Sequence, residues 1–588
     1  MLDLMLAHKL SAILFSPLLG IFLISFIPRK FEEGVRAIAF SVSILTAVLT
    51  YYLWSHFNQN GYVFMETVAW IPSLNINYRV GLDGASLLLF ALTAILTPLC
   101  IAASWNDIKS HRKEFYALIL ACEIGLLGLF AALDLFLFYV FWEVMLIPMY
   151  FLIGIWGSGN RIYAATKFLL YTVVGSVLML AGLIYFYLAS GRSFDMTTLG
   201  MNPLAPTVQL WIFLSFAIAF AIKVPIFPFH TWLPDAHTEA PTAGSVLLAG
   251  VFLKAGAYGF YRIAMPYFPD AVAYFRPYIF VLAVISIIYG ALVSMVQKDL
   301  KRLIAYSSVS HLGFVMLGLI ALDPEGVQGA VLQMVNHGIT TGALFLLFGM
   351  LYSRAHTRKI ADFGGVANAM PVFAWAFVFT GLSSLGLPGL NNFVGEFLTV
   401  VGAFRAQPYL ACFSASCVII AAVYILWSIE RVFFGDKKPS LKDMSLRETA
   451  LIAPLLILMV WLGVYPKTAL SKLTASTNNF LAMSRRSVTD VPKTPLNIII
   501  PEIRRARPEL VIPEAKSELG YKEATGVYEP WDRKEQGKVP EEEGITGTDA
   551  TFGTEKIPSG SAGREENSVF PRETPPAEGS SPGGSGTE

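Results

Sequence analysis

Apolar runs long enough to cross a lipid bilayer recur along this 588-residue chain and restrict its fold more than any other feature. A helix needs about 20 mostly apolar residues to span roughly 30 Å of hydrocarbon. Only 14% of the residues are charged, whereas soluble domains are about one quarter charged. The runs predict an all-α polytopic membrane protein with about fourteen transmembrane helices. The predicted spans lie near 10–28, 35–56, 85–104, 115–133, 135–156, 163–189, 208–229, 241–263, 272–296, 303–322, 326–352, 371–403, 409–434 and 449–466.

The connecting loops alternate between rich and poor in Lys and Arg, which indicates how the chain is oriented. Cytoplasmic loops retain these residues during insertion. We therefore predict that the rich loops face the cytoplasm of a bacterial inner membrane and that both termini are periplasmic. The rich loops include Lys109, Arg112 and Lys113, and also Lys298, Lys301 and Arg302. The segment 232–240 is cytoplasmic by this count yet lacks Lys and Arg, which suggests that it folds back into the protein.

After about Ser484 the composition changes to Pro, Glu, Lys, Gly and Ser. Such a segment cannot bury enough apolar surface to offset the entropy of the chain. We expect residues 485–588 to be a polar, largely disordered tail, which either lies over a neighbouring subunit or stays solvated.

Nothing in the sequence indicates a nucleotide, metal or nucleic-acid site. The net charge is +1, so no overall field favours nucleic acid. The four cysteines show no C-x-x-C spacing, and no glycine-rich phosphate loop follows a predicted strand. The segment 229–242 gathers two histidines and two carboxylates, but it lacks ligand spacing on one helix face. We therefore expect no cofactor and no metal in this chain, and a proton-uptake or subunit-contact role for that segment.

Ionisable residues lie inside the predicted spans, where each needs a physical reason. A charge at the bilayer centre costs about 2.5–3.5 kcal/mol on insertion scales. Taken singly, a buried Glu or Lys could equally be a paired charge that pins two helices, and a buried His could be a core histidine bonded to a carbonyl. Taken together, groups on six otherwise apolar spans favour a proton relay. The candidate relay residues are Glu143, Lys223, Lys254, His311, His337 and Glu396.

Prolines interrupt two of the charged spans close to the ionisable residue. Pro225 and Pro228 follow Lys223, and Pro388 precedes Glu396. Because proline lacks an amide hydrogen and clashes with the preceding turn, helices 7 and 12 are predicted to be discontinuous. Broken helices mark ion sites in transporters, and a packing kink is the alternative interpretation.

The order of the spans indicates an internal duplication. Spans 4–8 and 9–13 are two blocks of five, each with its broken helix fourth, and an odd number of spans gives the second block the opposite polarity. The predicted organisation is three N-terminal spans (1–110), a first five-helix repeat (111–265), a second, inverted repeat (266–435), a last transmembrane helix with its flank (436–484) and the tail (485–588).

The segments 141–148, 223–228, 230–242 and 388–397 resemble the antiporter-like membrane subunits of respiratory complex I, the proton-pumping NADH:quinone oxidoreductase. The resemblance covers roughly residues 1–480. Glu396 stands where the sister subunits L and N and the Mrp-type antiporter subunits usually have lysine, so the resemblance is closest to the subunit M branch, the counterpart of mitochondrial subunit 4. It implies fourteen helices with two inverted five-helix repeats.

The resemblance also implies roles and partners. Glu143 and Lys223 would form the key pair, Lys254 the central relay residue, His311 and His337 the linking groups, and Glu396 the terminal site toward the periplasm. NADH, FMN, iron–sulfur clusters and quinone would be bound by partner subunits, and subunits L and N would be neighbours. The alternatives are an Mrp-type cation/proton antiporter subunit, a relative of membrane-bound hydrogenases, and a passive assembly scaffold.

Overall fold

The computed structural model describes residues 8–28, 31–58, 61–199, 204–435 and 440–485. The disordered tail that the sequence predicts over 485–588 therefore lies outside the described residues, apart from Arg485 at its first position.

Thirteen helices within those ranges are long and apolar enough to cross a membrane. We number the predicted spans α1 to α14. The bounds are α1 Lys9–Phe26, α2 Glu32–Ser55, α3 Gly84–Ala103, α4 Arg112–Ala131, α5 Leu135–Trp156, α6 Arg161–Ala189, α7 Pro206–Lys223 and Trp232–Glu239, α8 Thr242–Tyr267, α9 Pro269–Met295, α10 Leu300–Ala321, α11 Pro324–Ala355, α12 Pro371–Ser384 and Asn391–Ala406, α13 Pro408–Phe433 and α14 Leu446–Val464. The predicted helical membrane fold is confirmed, and α12 adds the fourteenth span as two shorter halves.

Two elements were not anticipated from the sequence. An antiparallel hairpin of β1 (Val63–Ile71) and β2 (Ile76–Leu82) lies between α2 and α3. After α14 comes α15 (Lys467–Ser484), an amphipathic helix that buries Leu473, Phe480 and Leu481. Its low apolar content explains why a search for transmembrane runs passes over it.

Aspartates fix the start of several helices. Asp134 accepts hydrogen bonds from the amides of Phe136 and Leu137 at the start of α5. Asp299 caps α10 in the same way. Each side chain satisfies amides that have no partner within the helix, which is worth about 1 kcal/mol. Capping therefore places the first turns of α5 and α10 at defined positions.

The interior of the bundle is built from α8, α10 and α11. In the apolar stretch of these three helices 100%, 94% and 100% of the residues are buried within the protein. The corresponding shares in α2, α13 and α14 are 33%, 33% and 22%. The apolar residues of the outer helices are left to face lipid. The three central helices carry Lys254, His311 and His337, so these ionisable side chains lie at the centre of the fold.

Both predicted breaks are present. The first half of α7 ends at Lys223, and the second half starts at Trp232, whose indole donates to the Ile222 carbonyl at 2.9 Å. In α12 the chain turns through Gly386 and Gly389, which have φ of 81° and 93° and so favour glycine. Each broken helix is the fourth of its predicted block, while the domain boundaries remain a prediction.

Hydrogen bonds hold the break of α12 against α11. The side-chain amide of Asn336 donates to the Asn391 carbonyl at 2.7 Å, and that of Asn391 donates to the Asn336 carbonyl at 3.2 Å. Ser383 donates to the Asn391 side chain at 2.6 Å. These bonds tie α11 to the break, and they fix the start of the half-helix that carries Glu396.

Candidate functional site

Lys254 lies fully buried at the middle of α8. Its ammonium is 2.7 Å from Nδ1 of His337 on α11 and also donates to the Ala249 carbonyl. Ala249 belongs to a π-helical turn, Leu248–Phe252. Such turns interrupt the regular bonding of a helix and occur frequently at functional sites. The structure therefore brings together two of the residues that the sequence selected.

His311 and Glu396 continue the line from His337. The rings of His337 and His311 are 5.7 Å apart between centroids. Nδ1 of His311 lies 2.7 Å from Oε1 of Glu396, which also accepts a hydrogen bond from Gln333 at 3.0 Å. Lys254, His337, His311 and Glu396 thus form one file of buried side chains, which we call the central file, across α8, α11, α10 and α12.

Lys223 is placed differently. It is 1% exposed, and its ammonium lies over the rings of Trp142 and Phe252 at 4.8 and 5.3 Å. Its Nζ atom has no hydrogen-bond partner among the described residues. An ammonium on aromatic faces is partly compensated by the ring quadrupoles. Lys223 therefore occupies an aromatic pocket and makes no hydrogen bond to the central file.

Glu143 lies close to Lys223 but does not contact it. The described residues contain no ion pair within 4.0 Å between the two, and one carboxylate oxygen of Glu143 is buried without a hydrogen-bond partner. The charge of Glu143 still acts on Lys223 electrostatically. The pairing of Glu143 with Lys223 that the resemblance implies therefore stays a prediction.

Two further residues extend the site, and neither is among the candidate relay residues selected from the sequence. One of them, His237, does belong to segment 229–242, for which a proton-uptake or subunit-contact role is predicted. His237, in the second half of α7, is fully buried and stacks on Phe345 with ring centroids 4.8 Å apart. Lys301, assigned to a cytoplasmic loop from the sequence, lies in the first turn of α10 and donates to the Ala240 carbonyl at 2.6 Å. The charges of Lys301 and Lys254 both act on His237, and its two ring nitrogens are buried without a hydrogen-bond partner among the described residues.

A cavity of about 400 Å³ reaches Lys301 from the end of the bundle where α8 begins. Its lining includes Asp107, Lys109, Glu239 and Arg358. A polar cavity of this size can hold many waters. The segment 232–240 does fold back, as its lack of basic residues suggested, and it supplies Glu239 and Ala240 to this cavity. Asp299 is the sequence signal that could have placed Lys301 correctly. As an N-cap it starts α10 at Leu300, so Lys301 falls in the first turn of the helix and not in a loop.

Comparisons with known proteins agree with this architecture. A family model described as NADH:quinone oxidoreductase/Mrp antiporter, transmembrane, matches residues 132–421, and one described as NADH-ubiquinone oxidoreductase chain 4, amino terminus, matches residues 12–129. NADH-quinone oxidoreductase subunit M of Rhodobacter capsulatus is 44% identical over 481 residues, which are 78% of this chain and 93% of that protein. NADH-ubiquinone oxidoreductase chain 4 of Marchantia polymorpha is 41% identical over 480 residues, 80% of this chain and 97% of that protein.

Solved structures share the fold. A chain of respiratory complex I from Thermus thermophilus with bound NADH matches with a TM-score of 0.75 and 33% identity over 81% of this chain and 99% of that chain. A chain of the Mrp complex from Dietzia matches with a TM-score of 0.72 at 20% identity, which shows the fold alone.

Two broken helices around buried ionisable side chains define the class of antiporter-like membrane subunits. Within that class, the chain belongs to the subunit M/chain 4 family of NADH:quinone oxidoreductase membrane subunits.

Proposed function

We propose that this chain moves protons across the membrane through the central file, as a subunit of a proton-pumping NADH:quinone oxidoreductase. The observation that carries the proposal is the file of four buried side chains, with 2.7 Å contacts at each end and the two imidazole rings, 5.7 Å apart between centroids, in its middle. Imidazoles, carboxylates and amines exchange protons through such contacts, and ionisable groups inside a membrane mark proton relays.

Proton uptake is proposed at the cavity beside Lys301, followed by transfer through His237 to Lys254. The full burial of His237, on which the charges of both lysines act, supports this route. Glu396, at 7% exposure in the second half of α12, is the proposed release site. This direction places the cavity on the cytoplasmic side of a bacterial inner membrane and the termini on the periplasmic side.

The separation of Glu143 and Lys223 is the proposed control element. A carboxylate that approaches an ammonium to about 4 Å, at an effective dielectric constant near 20, stabilises the charged form by about 4 kcal/mol. Closing or opening this pair therefore decides whether Lys223 keeps its proton. Redox chemistry in partner subunits, which would hold NADH, FMN, iron–sulfur clusters and quinone, supplies the driving force. Subunits L and N are the proposed neighbours.

The test is Glu396→Gln in the whole complex reconstituted into liposomes. Glutamine preserves the shape and the bond to Gln333 but carries no exchangeable charge, so we expect assembly to persist and the ratio of pumped protons to electrons to fall. Glu430→Gln, at an exposed position on α13, is the matched control and should pump normally. A wild-type ratio in Glu396→Gln would remove the central file from the mechanism.

Cation/proton exchange is the second candidate, because the fold is shared with the Mrp complex. A Na⁺ or K⁺ route predicts that pumping depends on the cation present. Equal pumping with choline replacing Na⁺ and K⁺ would exclude that candidate and support proton transfer.

A further inference from the structure

An apolar groove opens on the side of the bundle between α2, α3, α11 and α14. Its volume is about 240 Å³, and the described residues that line it include no charged side chain. Its two threonines, Thr50 and Thr468, donate their hydroxyls to backbone carbonyls at 2.8 and 2.9 Å. Tyr51 and Trp461 in its wall are 71% and 52% exposed. The apolar groove therefore offers hydrocarbon contacts and is open on the side that faces lipid.

The apolar groove runs from one end of these helices toward their middle. Trp54 lies in the last turn of α2 and Trp461 in the last turn of α14, whereas Val335 lies within α11, two residues before His337. On α2 the lining extends from Ala47 to Trp54, which is about 10 Å along a helix. A helix with its side chains is about 10–12 Å wide. A groove of this length and volume is therefore too narrow for a helix and fits a single hydrocarbon chain.

Lys472 of α15 lies at the mouth of the apolar groove. Its ammonium donates to the Trp54 carbonyl at 3.1 Å and is 4.8 Å from the centroid of the Trp54 ring. The residue follows Thr468, which lines the groove, by about one helical turn. Because an ammonium has three donors, the bond to Trp54 leaves two of them for a further acceptor.

The charge around the mouth is positive. Helix α15 carries Lys467 and Lys472 and contains no Asp or Glu. Neither α3 nor the stretches 47–55 of α2 and 458–464 of α14 contain an acidic residue. Basic residues close to a membrane surface attract anionic lipids, and tryptophans favour the level of the headgroups. The mouth therefore matches an anionic headgroup, and the groove behind it matches an acyl chain.

We propose that the apolar groove binds one anionic phospholipid, whose phosphate contacts Lys472 and whose acyl chain lies between Trp54 and Val335. The chain also packs beside the central file. Leu92 lines the groove, and a Cβ atom on Gly338 would lie only 2.7 Å from the Leu92 side chain. The lipid thus supports α11 from the side opposite α8, at the turn that carries His337.

Photoaffinity labelling of the whole complex in lipid vesicles tests the site. The probe is phosphatidylglycerol with a diazirine in one acyl chain, and we expect cross-links to segments 88–95 and 458–462. Ala91→Trp puts an indole into the groove and should reduce labelling of segment 458–462 at least fivefold. Ala181→Trp, at an exposed position on α6, is the matched control and should label normally. A wild-type complex without label in these segments would overturn the proposal, since a neighbouring subunit would then cover the groove.

The headgroup contact is tested at Lys472, which also covers the case in which Ala91→Trp does not assemble. Phosphatidylglycerol should label the wild type about fivefold more than phosphatidylcholine with the same diazirine, the attraction expected from one basic residue. Lys472→Gln should abolish that preference, and Lys472→Arg should keep it. Equal labelling by the two lipids in the wild type, or an unchanged preference in Lys472→Gln, would overturn the anionic site. None of these results depends on proton pumping.

Discussion

Nδ1 of His337 lies 2.7 Å from the ammonium of Lys254, although 83 residues separate them in the sequence. The contact depends on a close approach of α11 to α8. A Cβ atom on Gly338, the next residue, would lie only 2.7 Å from the Gly250 carbonyl. Two glycines therefore let the helices come close enough for an amine and an imidazole to share a proton inside an apolar bundle.

His337→Gln should interrupt proton transfer between Lys254 and His311. Glutamine can form hydrogen bonds but does not exchange protons near neutral pH, so we expect the pumped proton-to-electron ratio to fall while quinone reduction by NADH continues. The measurement is proton uptake per NADH oxidised in proteoliposomes. His56→Gln, at an exposed position after the last turn of α2, should leave the ratio unchanged, and an unchanged ratio in His337→Gln would contradict the role of the file.

Gly338→Ala should destabilise the complex by forcing α11 away from α8. Overpacking of this kind costs about 1–3 kcal/mol, and the added Cβ would meet Leu92 as well as the Gly250 carbonyl at 2.7 Å. The expected result is a lower midpoint of thermal unfolding together with weaker pumping. Gly342→Ala, whose Cβ would meet its nearest neighbours at 3.6 Å, is the control on the same helix. Equal midpoints for the two variants would show that the approach of α11 to α8 is not tight.

Lys301→Met should slow proton uptake. Methionine fills the same buried space but cannot take a proton from water in the cavity, so we expect about a tenfold loss in pumping rate, or roughly 1.4 kcal/mol in the barrier. Lys298→Met, at an exposed position just before α10, should pump normally. A wild-type rate in Lys301→Met would place uptake elsewhere.

Asp134→Asn should change how stability depends on pH. Burial raises the pKa of Asp134 to about 6, despite hydrogen bonds from the amides of Leu137, Asn77 and Phe136. The folded protein therefore binds the protonated form of Asp134 more strongly than the unfolded chain does. The stability that this protonation contributes, up to about 3 kcal/mol, is fully present below the ordinary pKa near 3.8. It is lost as the pH rises through about 6. Asparagine keeps a cap without titrating. The thermal midpoint of the variant relative to wild type should therefore rise between pH 5 and pH 7, and a constant difference would refute the shift.

Local sequence features were sufficient to predict the spans and their breaks. Length and hydropathy located fourteen spans, because the bilayer sets the length of a helix. Pro225, Pro228 and Pro388 located the interruptions, because the effect of proline on a helix is local and does not depend on what the helix packs against. The ionisable residues could be selected for the same reason, since each is costly in its own apolar run. By contrast, α15 was not predicted, because its apolar residues recur at helical spacing and do not form one continuous apolar run.

Only the tertiary structure decided which of these residues meet. The sequence gives no rotation or crossing angle for α8, α10, α11 and α12, and these angles determine that Lys254 contacts His337, that His311 contacts Glu396, and that Lys223 rests on aromatic rings. His237 and Lys301 belong to the site only because segment 232–240 packs against α10 in the tertiary structure. Contacts between helices distant in sequence depend on packing of all their neighbours, and no local pattern encodes them.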